Sequence, residues 1–451
     1  MFGLPKAAQF PKITVPPPGK KAERFLKMDK ELISPSYGRF YPLVVKSGKG
    51  SIITDMDGNE YIDFNSGLVC MNVGHCHPKV VSAVQRQAEK LLHYSFTDFY
   101  YEEAEDLAQT FTEITPGHFR KKIYYGNSGA EAIEAAMKVA RWHSKRPRYM
   151  AFIGGFHGRT FGSLSLTGSK PVQRRRFAPL LPEVTHVPFA NCYRCPFKMT
   201  YPECGMYCVD FIEDMYFKKF LPPEEVAALF YEPIQGEGGY VVPPEDYFLR
   251  VKKLMDKYGI LMVADEVQSG MGRTGKWFAS EHFKIQPDIL CTSKAVASGL
   301  PLGVTVARSE LMDWEKGSHA STFGGNPVCC AAANAVIEII KEEDLLAGAE
   351  KKGKYVMKRM EELQENCEMI GDVRGKGLMI GVELVKNRKT KEAAKHEAEE
   401  VMIRSWRKGV AVITSGNSTI RIAPPLNTPK ELLEKGLDII EESLKAVNKE
   451  L

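Results

Sequence analysis

The chain has 451 residues, 44% of them hydrophobic and 26% charged, a composition typical of a globular protein with a sizeable core. Its 61 basic and 56 acidic residues are interspersed, so the net charge of +5 forms no basic stripe and we expect no nucleic acid partner. The start lacks a signal-peptide pattern and no apolar run approaches the roughly 18 residues of a membrane span, so we expect a cytoplasmic protein.

The chain is predicted to have three parts. Residues 1–79 are interpreted as an N-terminal arm with a short helix, followed by a small antiparallel sheet that belongs to a small domain. Residues 330–451 are predicted to form an α+β C-terminal part of that small domain, with helices at Ala331–Lys341 and Gly348–Asn366. Its predicted strands are Leu378–Leu384, Val410–Thr414 and Thr419–Ile422.

Residues 80–329 alternate between strand and helix patterns, with helices at Ala130–Trp142 and Tyr247–Tyr258. This alternation predicts a large α/β domain built on a mainly parallel sheet that is covered on both faces. The predicted strands are Lys122–Tyr125, Tyr149–Ile153, Val184–Val187, Ala227–Tyr231, Gly259–Ala264, Asp288–Thr292 and Gly303–Ala307.

Two of these strands end in residues of opposite charge. Gly259–Ala264 is followed by Asp265 and Glu266, and Asp288–Thr292 is followed after one serine by Lys294. A lysine can form a Schiff base with an aldehyde cofactor, and a nearby acid can keep a pyridine nitrogen protonated. The pair therefore indicates pyridoxal phosphate chemistry.

Four further motifs each allow two interpretations. Gly126–Ala132 opens a helix and suits a phosphate, although Ser128 could be only an N-cap. Gly155–Arg159 could place an aromatic ring over the pyridine, or that ring could belong to the core. Glu232–Gly239 has a glycine-rich turn that suggests a backbone close to a ligand, although its acids could be surface charges. Ser321–Pro327 could bind phosphate through a hydroxyl or act only as a hinge.

Arg421 lies on an apolar strand, where a guanidinium group needs an anionic partner. The partner would be either a carboxylate of the protein, in a structural ion pair, or the carboxylate of a substrate.

In this order, over about residues 35 to 445, the motifs resemble the class III pyridoxal-phosphate aminotransferases of fold type I, the ornithine and 4-aminobutyrate type. The resemblance implies that Lys294 forms the Schiff base and shuttles a proton, and that Asp265 holds the pyridine nitrogen. It implies a homodimer with shared active sites, since Thr322 resembles a phosphate ligand that the other subunit donates. The remaining cofactor-binding residues that it implies are Ser128, Gly129, Ala130, Phe156, His157, Glu232 and Gln268.

The resemblance also bears on the substrate. It makes Arg159 the anchor for the distal carboxylate of an ω-amino acid and Arg421 the anchor for an α-carboxylate, with Glu237 masking Arg421 in one half-reaction. Ornithine transaminases typically carry a tyrosine where this chain has Leu68, which favours a 4-aminobutyrate-like donor. We therefore expect an aminotransferase that uses 2-oxoglutarate as acceptor.

Three alternatives remain open. The chain could act on ornithine or acetylornithine, or it could be an amino-acid racemase of the same family. Arg159 favours transamination, because we expect racemases often to have a neutral residue there. A metal-stabilised binding protein on a degenerate transferase fold is the third alternative.

Four cysteines in the spacing Cys-x2-Cys-x8-Cys-x3-Cys occur in one short loop, at Cys192, Cys195, Cys204 and Cys208. Four thiolates in such a loop suit a tetrahedral zinc ion or an iron–sulfur cluster of structural rather than catalytic function. Free thiols or disulfides are the alternatives.

Overall fold

The computed structural model describes residues 9–450, so the first eight residues of the predicted arm lie outside the described part. The helices are α1 Lys20–Leu32, α2 Ser66–Val69, α3 Pro78–Lys90, α4 Glu102–Ile114, α5 Gly129–Ser144, α6 Phe161–Leu166, α7 Pro171–Arg174, α8 Tyr207–Phe211, α9 Tyr247–Tyr258, α10 Pro327–Glu342, α11 Leu345–Glu365, α12 Lys395–Arg407 and α13 Lys430–Asn448. The strands are β1 Val45–Lys49, β2 Ile52–Asp55, β3 Glu60–Asp63, β4 Lys121–Gly126, β5 Arg148–Phe152, β6 Val184–Val187, β7 Val226–Tyr231, β8 Leu261–Asp265, β9 Ile289–Thr292, β10 Gly303–Arg308, β11 Ile370–Lys376, β12 Met379–Asn387, β13 Glu392–Ala393, β14 Val410–Ala411, β15 Ile413–Ser415 and β16 Thr419–Ile422.

The chain divides into two compact units. One extends from Lys79 to Ala347, and the other comprises the described residues up to Pro78 together with those from Gly348 onward. The first unit thus includes α10 and continues past residue 329, where the sequence places the domain boundary. No helix among residues 9–450 combines the length and the apolarity needed to cross a bilayer.

The unit from Lys79 to Ala347 is built on a seven-stranded sheet in the order β4-β10-β9-β8-β7-β5-β6. The neighbours from β9 through β8, β7 and β5 to β6 pair in parallel, whereas β10 runs antiparallel to both β9 and β4. The predicted strands are all present and the sheet is mainly parallel, so the predicted fold class is confirmed. Since only β10 is reversed, β4, β8 and β9 all end at the same edge.

The sequence accounts for the burial of this sheet. Every residue of β7 and β9 is buried, and such continuous apolar runs are typical of strands covered on both faces. Helix α5 buries one stripe of small and aliphatic side chains at the three-to-four-residue spacing of a helix. The stripe packs into a core cluster that includes Ile133, Ala136, Val139, Ala140, Phe230, Val263 and Ile289.

The other unit contains two sheets. One has the order β1-β2-β3-β14, in which the three N-terminal strands pair antiparallel and β14, from the far end of the chain, pairs with β3 in parallel. The second has the order β11-β12-β16-β15, with β13 alongside β12. Both the small antiparallel sheet and the C-terminal strands were expected from the sequence; the addition of β14 to the first sheet was not.

Candidate active site

Three chain segments meet at one edge of the seven-stranded sheet. Asp265 is the last residue of β8 and lies opposite Cys291 of the parallel strand β9, and Lys294 follows three residues later. Gly126, the last residue of β4, lies opposite Gly303, the first residue of β10. The structure therefore brings the predicted acid, lysine and phosphate segment to the same edge of the sheet.

Asp265 is held in a fixed orientation by its neighbours. The Nδ1 atom of His157 lies 2.8 Å from Oδ2 of Asp265, and Oδ1 accepts a hydrogen bond from the Val267 amide at 3.1 Å. The backbone of His157 is itself anchored, because its amide donates to Oγ1 of Thr167 at 2.9 Å. Both Asp265 and His157 are buried, so the carboxylate has a defined position and little contact with solvent.

Lys294 occupies a strained backbone position. It begins the short 3₁₀ turn Lys294–Ala297 with a φ of 45°, in the left-handed region. For a residue with a side chain this conformation costs about 1–2 kcal/mol. The preceding residue stabilises the turn, since Oγ of Ser293 donates to the Leu302 carbonyl at 2.7 Å. Such strain persists where the surroundings enforce it, as is common at functional sites.

The segment between β4 and α5 forms a helix start that suits an anion. Ser128 is the N-cap of α5, and its Oγ accepts a hydrogen bond from the Glu131 amide at 3.2 Å. The amides of Gly129 and Ala130 lie in the first turn, where backbone N–H groups have no acceptor within the helix and the helix dipole favours negative charge. A Cβ atom at Gly303 would lie 2.2 Å from the Ser128 carbonyl oxygen, so β10 packs directly against this segment.

Two polar residues that were not assigned a function order the same segment. Glu131 accepts hydrogen bonds from the amide and the side chain of Asn127, at 2.8 and 2.9 Å. Asn127 in turn donates to Oγ of Ser321 at 2.9 Å, next to the exposed Thr322. The signal was present in the sequence, because Ser128 followed three residues later by Glu131 has the pattern of a capping box.

Gln268 and Phe156 each present a group that suits a planar ligand. Oε1 of Gln268 is buried and has no hydrogen-bond partner among residues 9–450. A Cβ atom at Gly236 would lie 2.3 Å from Nε2 of Gln268, so the glycine-rich turn makes room for this side chain. The ring of Phe156 is half-buried, and the guanidinium of Arg159 lies over it, 5.5 Å from the ring centre.

The two glutamates of the segment Glu232–Gly239 have different environments. Glu232 is buried, and its two carboxylate oxygens accept hydrogen bonds from the amides of Phe156 and Gly236, at 2.8 and 3.0 Å. Burial, reinforced by the charge of Asp265, raises the pKa of Glu232 to about 7. Glu237 is half-buried and forms an ion pair with Lys170 at 2.6 Å. No motif in the sequence had pointed to Lys170.

Leu68 and Arg421 belong to the other unit. Leu68 is exposed and lies in α2, whose four residues Ser66–Val69 all have φ between 50° and 67°, so this turn is left-handed. Arg421 is 3% exposed and lies on β16, between Gly381 of β12 and Ile413 of β15. A guanidinium group buried to this degree needs an anionic partner, which stays a prediction.

The prediction of zinc or an iron–sulfur cluster at Cys192, Cys195, Cys204 and Cys208 finds no support. All four side chains are free thiols that line one small cavity. However, among residues 9–450 no group of three or more His, Cys, Asp or Glu side chains is arranged to hold a metal ion. Burial and the neighbouring sulfurs raise the pKa of Cys208 to about 12, which favours the thiol over the metal-binding thiolate. The four cysteines that are close in sequence do line one cavity, but their side chains are not arranged as metal ligands.

The residues at the sheet edge fit pyridoxal phosphate, the cofactor that the sequence resemblance implies. Lys294 and Asp265 supply an amine and a buried acid, and the start of α5 supplies amides for a phosphate. The unpaired Oε1 of Gln268 supplies a further polar contact, and Phe156 an aromatic face. The chemistry of these groups matches the aldehyde, the ring nitrogen and the phosphate of the cofactor.

Comparison with known proteins identifies one enzyme family. A family model described as "Aminotransferase class-III" matches residues 33–444. The chain is 45% identical to a leucine/methionine racemase of Thermococcus litoralis, over 92% of this chain and 96% of the racemase. It is 43% identical to an alanine/serine racemase of Pyrococcus horikoshii, over 97% and 93% of the two chains. A probable 4-aminobutyrate aminotransferase of Bacillus subtilis is 39% identical, over 90% and 93%.

Solved structures of aminotransferases have the same fold as this chain. An aminotransferase of Bacillus anthracis superposes with a TM-score of 0.88 at 29% identity, covering 95% of this chain and 99% of the other. The ornithine aminotransferase of Toxoplasma gondii superposes with a TM-score of 0.82 at 29% identity, covering 95% of each chain.

Proposed function

Because the chain belongs to the class III aminotransferases, which are pyridoxal-phosphate enzymes, we propose that it transfers the amino group of an ω-amino acid to 2-oxoglutarate. The donor we propose is 4-aminobutyrate or a close analogue, in which the amino group and the carboxylate are at opposite ends of the molecule. Ornithine and acetylornithine are the related donors.

The observation that carries this proposal is the environment of Arg159. Its guanidinium lies beside the ring of Phe156, and no carboxylate among residues 9–450 forms an ion pair with it. The exposed guanidinium is a planar fork that matches a carboxylate. Arg159 can therefore bind the distal carboxylate of a substrate whose amino group reacts at the cofactor.

The other residues at the sheet edge have separate functions in this proposal. Bound pyridoxal phosphate supplies an aldehyde for the amino group and a ring that withdraws electrons. The amine of Lys294 holds the cofactor and moves the proton between carbon atoms. Asp265, oriented by His157, keeps the ring nitrogen protonated, and the start of α5 holds the phosphate. The burial of Asp265 and His157 keeps water from competing for that nitrogen.

The second substrate, 2-oxoglutarate, has an α-carboxylate that needs its own anchor, which we propose is Arg421. Leu68, with an apolar side chain, favours a donor without the α-amino group of ornithine.

We also propose a homodimer in which Thr322 contacts the phosphate bound by the partner subunit. Thr322 and Phe323 are exposed, and the ring of Phe323 packs against His93 with a centroid distance of 5.3 Å. The two loops that contain His93 and Phe323 expose a set of large apolar side chains, namely Leu92, Tyr94, Phe99, Tyr100 and Phe323. Exposed apolar side chains gathered in this way are typical of protein interfaces. Sedimentation of the purified protein as a monomer would contradict the proposal.

Amino-acid racemisation is the second candidate, and the named relatives favour it. The racemases from Thermococcus litoralis and Pyrococcus horikoshii share 45% and 43% identity with the chain, compared with 39% for the aminotransferase of Bacillus subtilis. A racemase needs one α-carboxylate anchor and no keto acid. In that reaction the proton would return to the opposite face of the same substrate carbon.

One experiment separates the two candidates. The holoenzyme is incubated with 2-oxoglutarate and a single donor, either 4-aminobutyrate, ornithine, acetylornithine, L-alanine or L-leucine, and glutamate is measured. In parallel, the L-amino acids are incubated alone and the D-isomer is measured by chiral chromatography. Glutamate from 4-aminobutyrate without D-isomers supports the aminotransferase. D-isomers formed without keto acid, and no glutamate from any ω-amine, would support the racemase and contradict our proposal.

A further inference from the structure

Glu232 is a buried carboxylate that contacts both walls of the proposed cofactor site. We propose that it is a positioning residue: it joins the loop of Phe156 and His157 to the turn of Gly236 and Glu237, and its charge acts through Asp265 on the cofactor ring. This inference rests on the proposed contact of Asp265 with the ring nitrogen.

The carboxylate of Glu232 is bound by amides of two different loops. One oxygen of Glu232 accepts the Phe156 amide at 2.8 Å, and the other accepts the Gly236 amide at 3.0 Å. These two amides belong to different loops, one after β5 and one after β7. A single side chain thus fixes the spacing between the loop that carries the aromatic ring and the turn that carries Glu237.

Glu232 and Asp265 directly follow Tyr231 and Ala264, which are paired in the parallel strands β7 and β8. Glu232 is 5% exposed, Asp265 is 4% exposed and His157 is 2% exposed, so these groups interact with little solvent screening. Asp265 raises the pKa of Glu232 and His157 lowers it, after the dominant effect of burial. Asp265 on β8 and His157 after β5 act on Glu232 electrostatically, and the amides of Phe156 and Gly236 act on it through hydrogen bonds.

Two buried acids at one site stabilise a positive charge on a cofactor that is bound there. At pH values above about 7, where Glu232 is ionised, its negative charge adds to that of Asp265 and favours the protonated forms of the cofactor ring and of its linkage to Lys294. Loss of that charge should make these groups lose their protons at a lower pH. An ordinary structural anchor would fix the loops without changing the pH at which the cofactor titrates.

Two substitutions separate the charge of Glu232 from its hydrogen bonds. Glu232→Gln removes the charge and keeps the length of the side chain, although its NH₂ group donates and cannot accept, so one of the two amides loses its acceptor. Glu232→Asp keeps the charge but is one methylene shorter, so it cannot reach both amides. Glu281→Gln is the matched control, because Glu281 is a partly buried glutamate that accepts the Phe278 amide and does not contact Asp265.

The readout is the pH dependence of the visible absorbance of the bound cofactor, measured in each purified holoenzyme. We expect Glu232→Gln to lower the apparent pKa of this transition by about one unit, and Glu232→Asp and Glu281→Gln to leave it unchanged. Hydrogen exchange should increase at residues 154–158 and 234–239 in Glu232→Asp. An unchanged apparent pKa in Glu232→Gln, or an equal shift in Glu281→Gln, would overturn the inference.

A further variant distinguishes failure of this inference from failure of the proposed function. Asp265→Asn should change the absorbance of the cofactor whether or not Glu232 contributes to it. If Asp265→Asn has no effect, the proposed assignment of Asp265 is wrong. If Asp265→Asn has an effect and Glu232→Gln has none, only the inference about Glu232 is wrong.

Discussion

His157 and Asp265 form the most deeply buried pair of the candidate site, with Nδ1 of His157 2.8 Å from Oδ2 of Asp265. Nε2 of His157 is also buried and has no hydrogen-bond partner among residues 9–450. The hydrogen bond of the imidazole to Asp265 therefore orients that carboxylate. Because the other oxygen of Asp265 accepts the Val267 amide, rotation of the carboxylate would break two hydrogen bonds.

We expect Asp265→Asn to lower kcat by about 10²–10³-fold, in the range found when a group that stabilises charge in the transition state is removed. An amide has the shape of the acid but no negative charge, so it cannot keep a ring nitrogen protonated. Single-turnover rates with a saturating donor measure this effect apart from product release. A change in KM alone would contradict it.

Lys294→Ala should bind pyridoxal phosphate without the pH-dependent visible absorbance of the native protein, and it should not turn over. The methyl group leaves no amine to hold the aldehyde or to move a proton. Absorbance spectra over a pH series and an activity assay test the two statements separately. Substantial activity in this variant would contradict the central assignment of the site.

Arg159→Gln should raise KM for 4-aminobutyrate by about 10–100-fold, because a charge-assisted hydrogen bond contributes about 1.5–3 kcal/mol. An amine substrate without a distal carboxylate should be affected much less. Arg175→Gln, at another exposed arginine of the same unit, is the control and should behave like the unmodified protein. Equal losses for both kinds of substrate would show that Arg159 does not bind the carboxylate.

Gly303→Ala should destabilise the protein by about 1–3 kcal/mol and weaken cofactor binding, since the new Cβ atom would lie 2.2 Å from the Ser128 carbonyl oxygen. Gly348→Ala is the control, because a Cβ atom there meets nothing within 4 Å and α11 favours alanine over glycine by about 1 kcal/mol. Denaturant unfolding and cofactor dissociation measure the two effects. A Gly303→Ala variant as stable as the control would contradict close packing at the start of α5.

The raised pKa of Glu232 predicts a pH dependence of stability in the apo protein. A carboxylate with a pKa of about 7 in the folded state and 4.5 when unfolded binds more protons when folded between these values. Its contribution to stability is therefore fully present below pH 4.5 and is lost as the pH rises through 7. We expect the stability of the native protein relative to Glu232→Gln to fall between pH 5 and 8 in denaturant titrations. A constant difference would show that the raised pKa of Glu232 does not contribute to stability in this pH range.

Much of the fold could be predicted because its signals are local. Helix α9 ends at Tyr258 as predicted, since Gly259 adopts a φ of 62° that other residues disfavour. The strands of the large sheet coincide with apolar runs bounded by polar turns. The reversal of β10 and the pairing of β14 with β3 depend on contacts between distant parts of the chain, for which the sequence carries no local signal.

The residues of the candidate site likewise include some that could be predicted from local sequence signals and some that could not. Asp265 and Lys294 follow apolar runs, so their positions at strand ends could be predicted. Lys170 could not be, because nothing near it in the sequence indicates that it would meet Glu237. The left-handed turn at Ser66–Val69 was also unexpected, since serine, leucine and valine rarely adopt positive φ.

The position of β10 between β4 and β9 also determines when the site can form during protein synthesis. Strand β4 is made early, but its partner in the sheet is Gly303–Arg308, which leaves the ribosome only after almost the whole unit has been translated. Until then β4 has an unpaired edge, and the charges of Lys121 and Lys122 at its start oppose association with other chains. The phosphate segment packs against Gly303, so it acquires its final shape at the same late step. We therefore expect that only a chain translated past Arg308 can hold the cofactor.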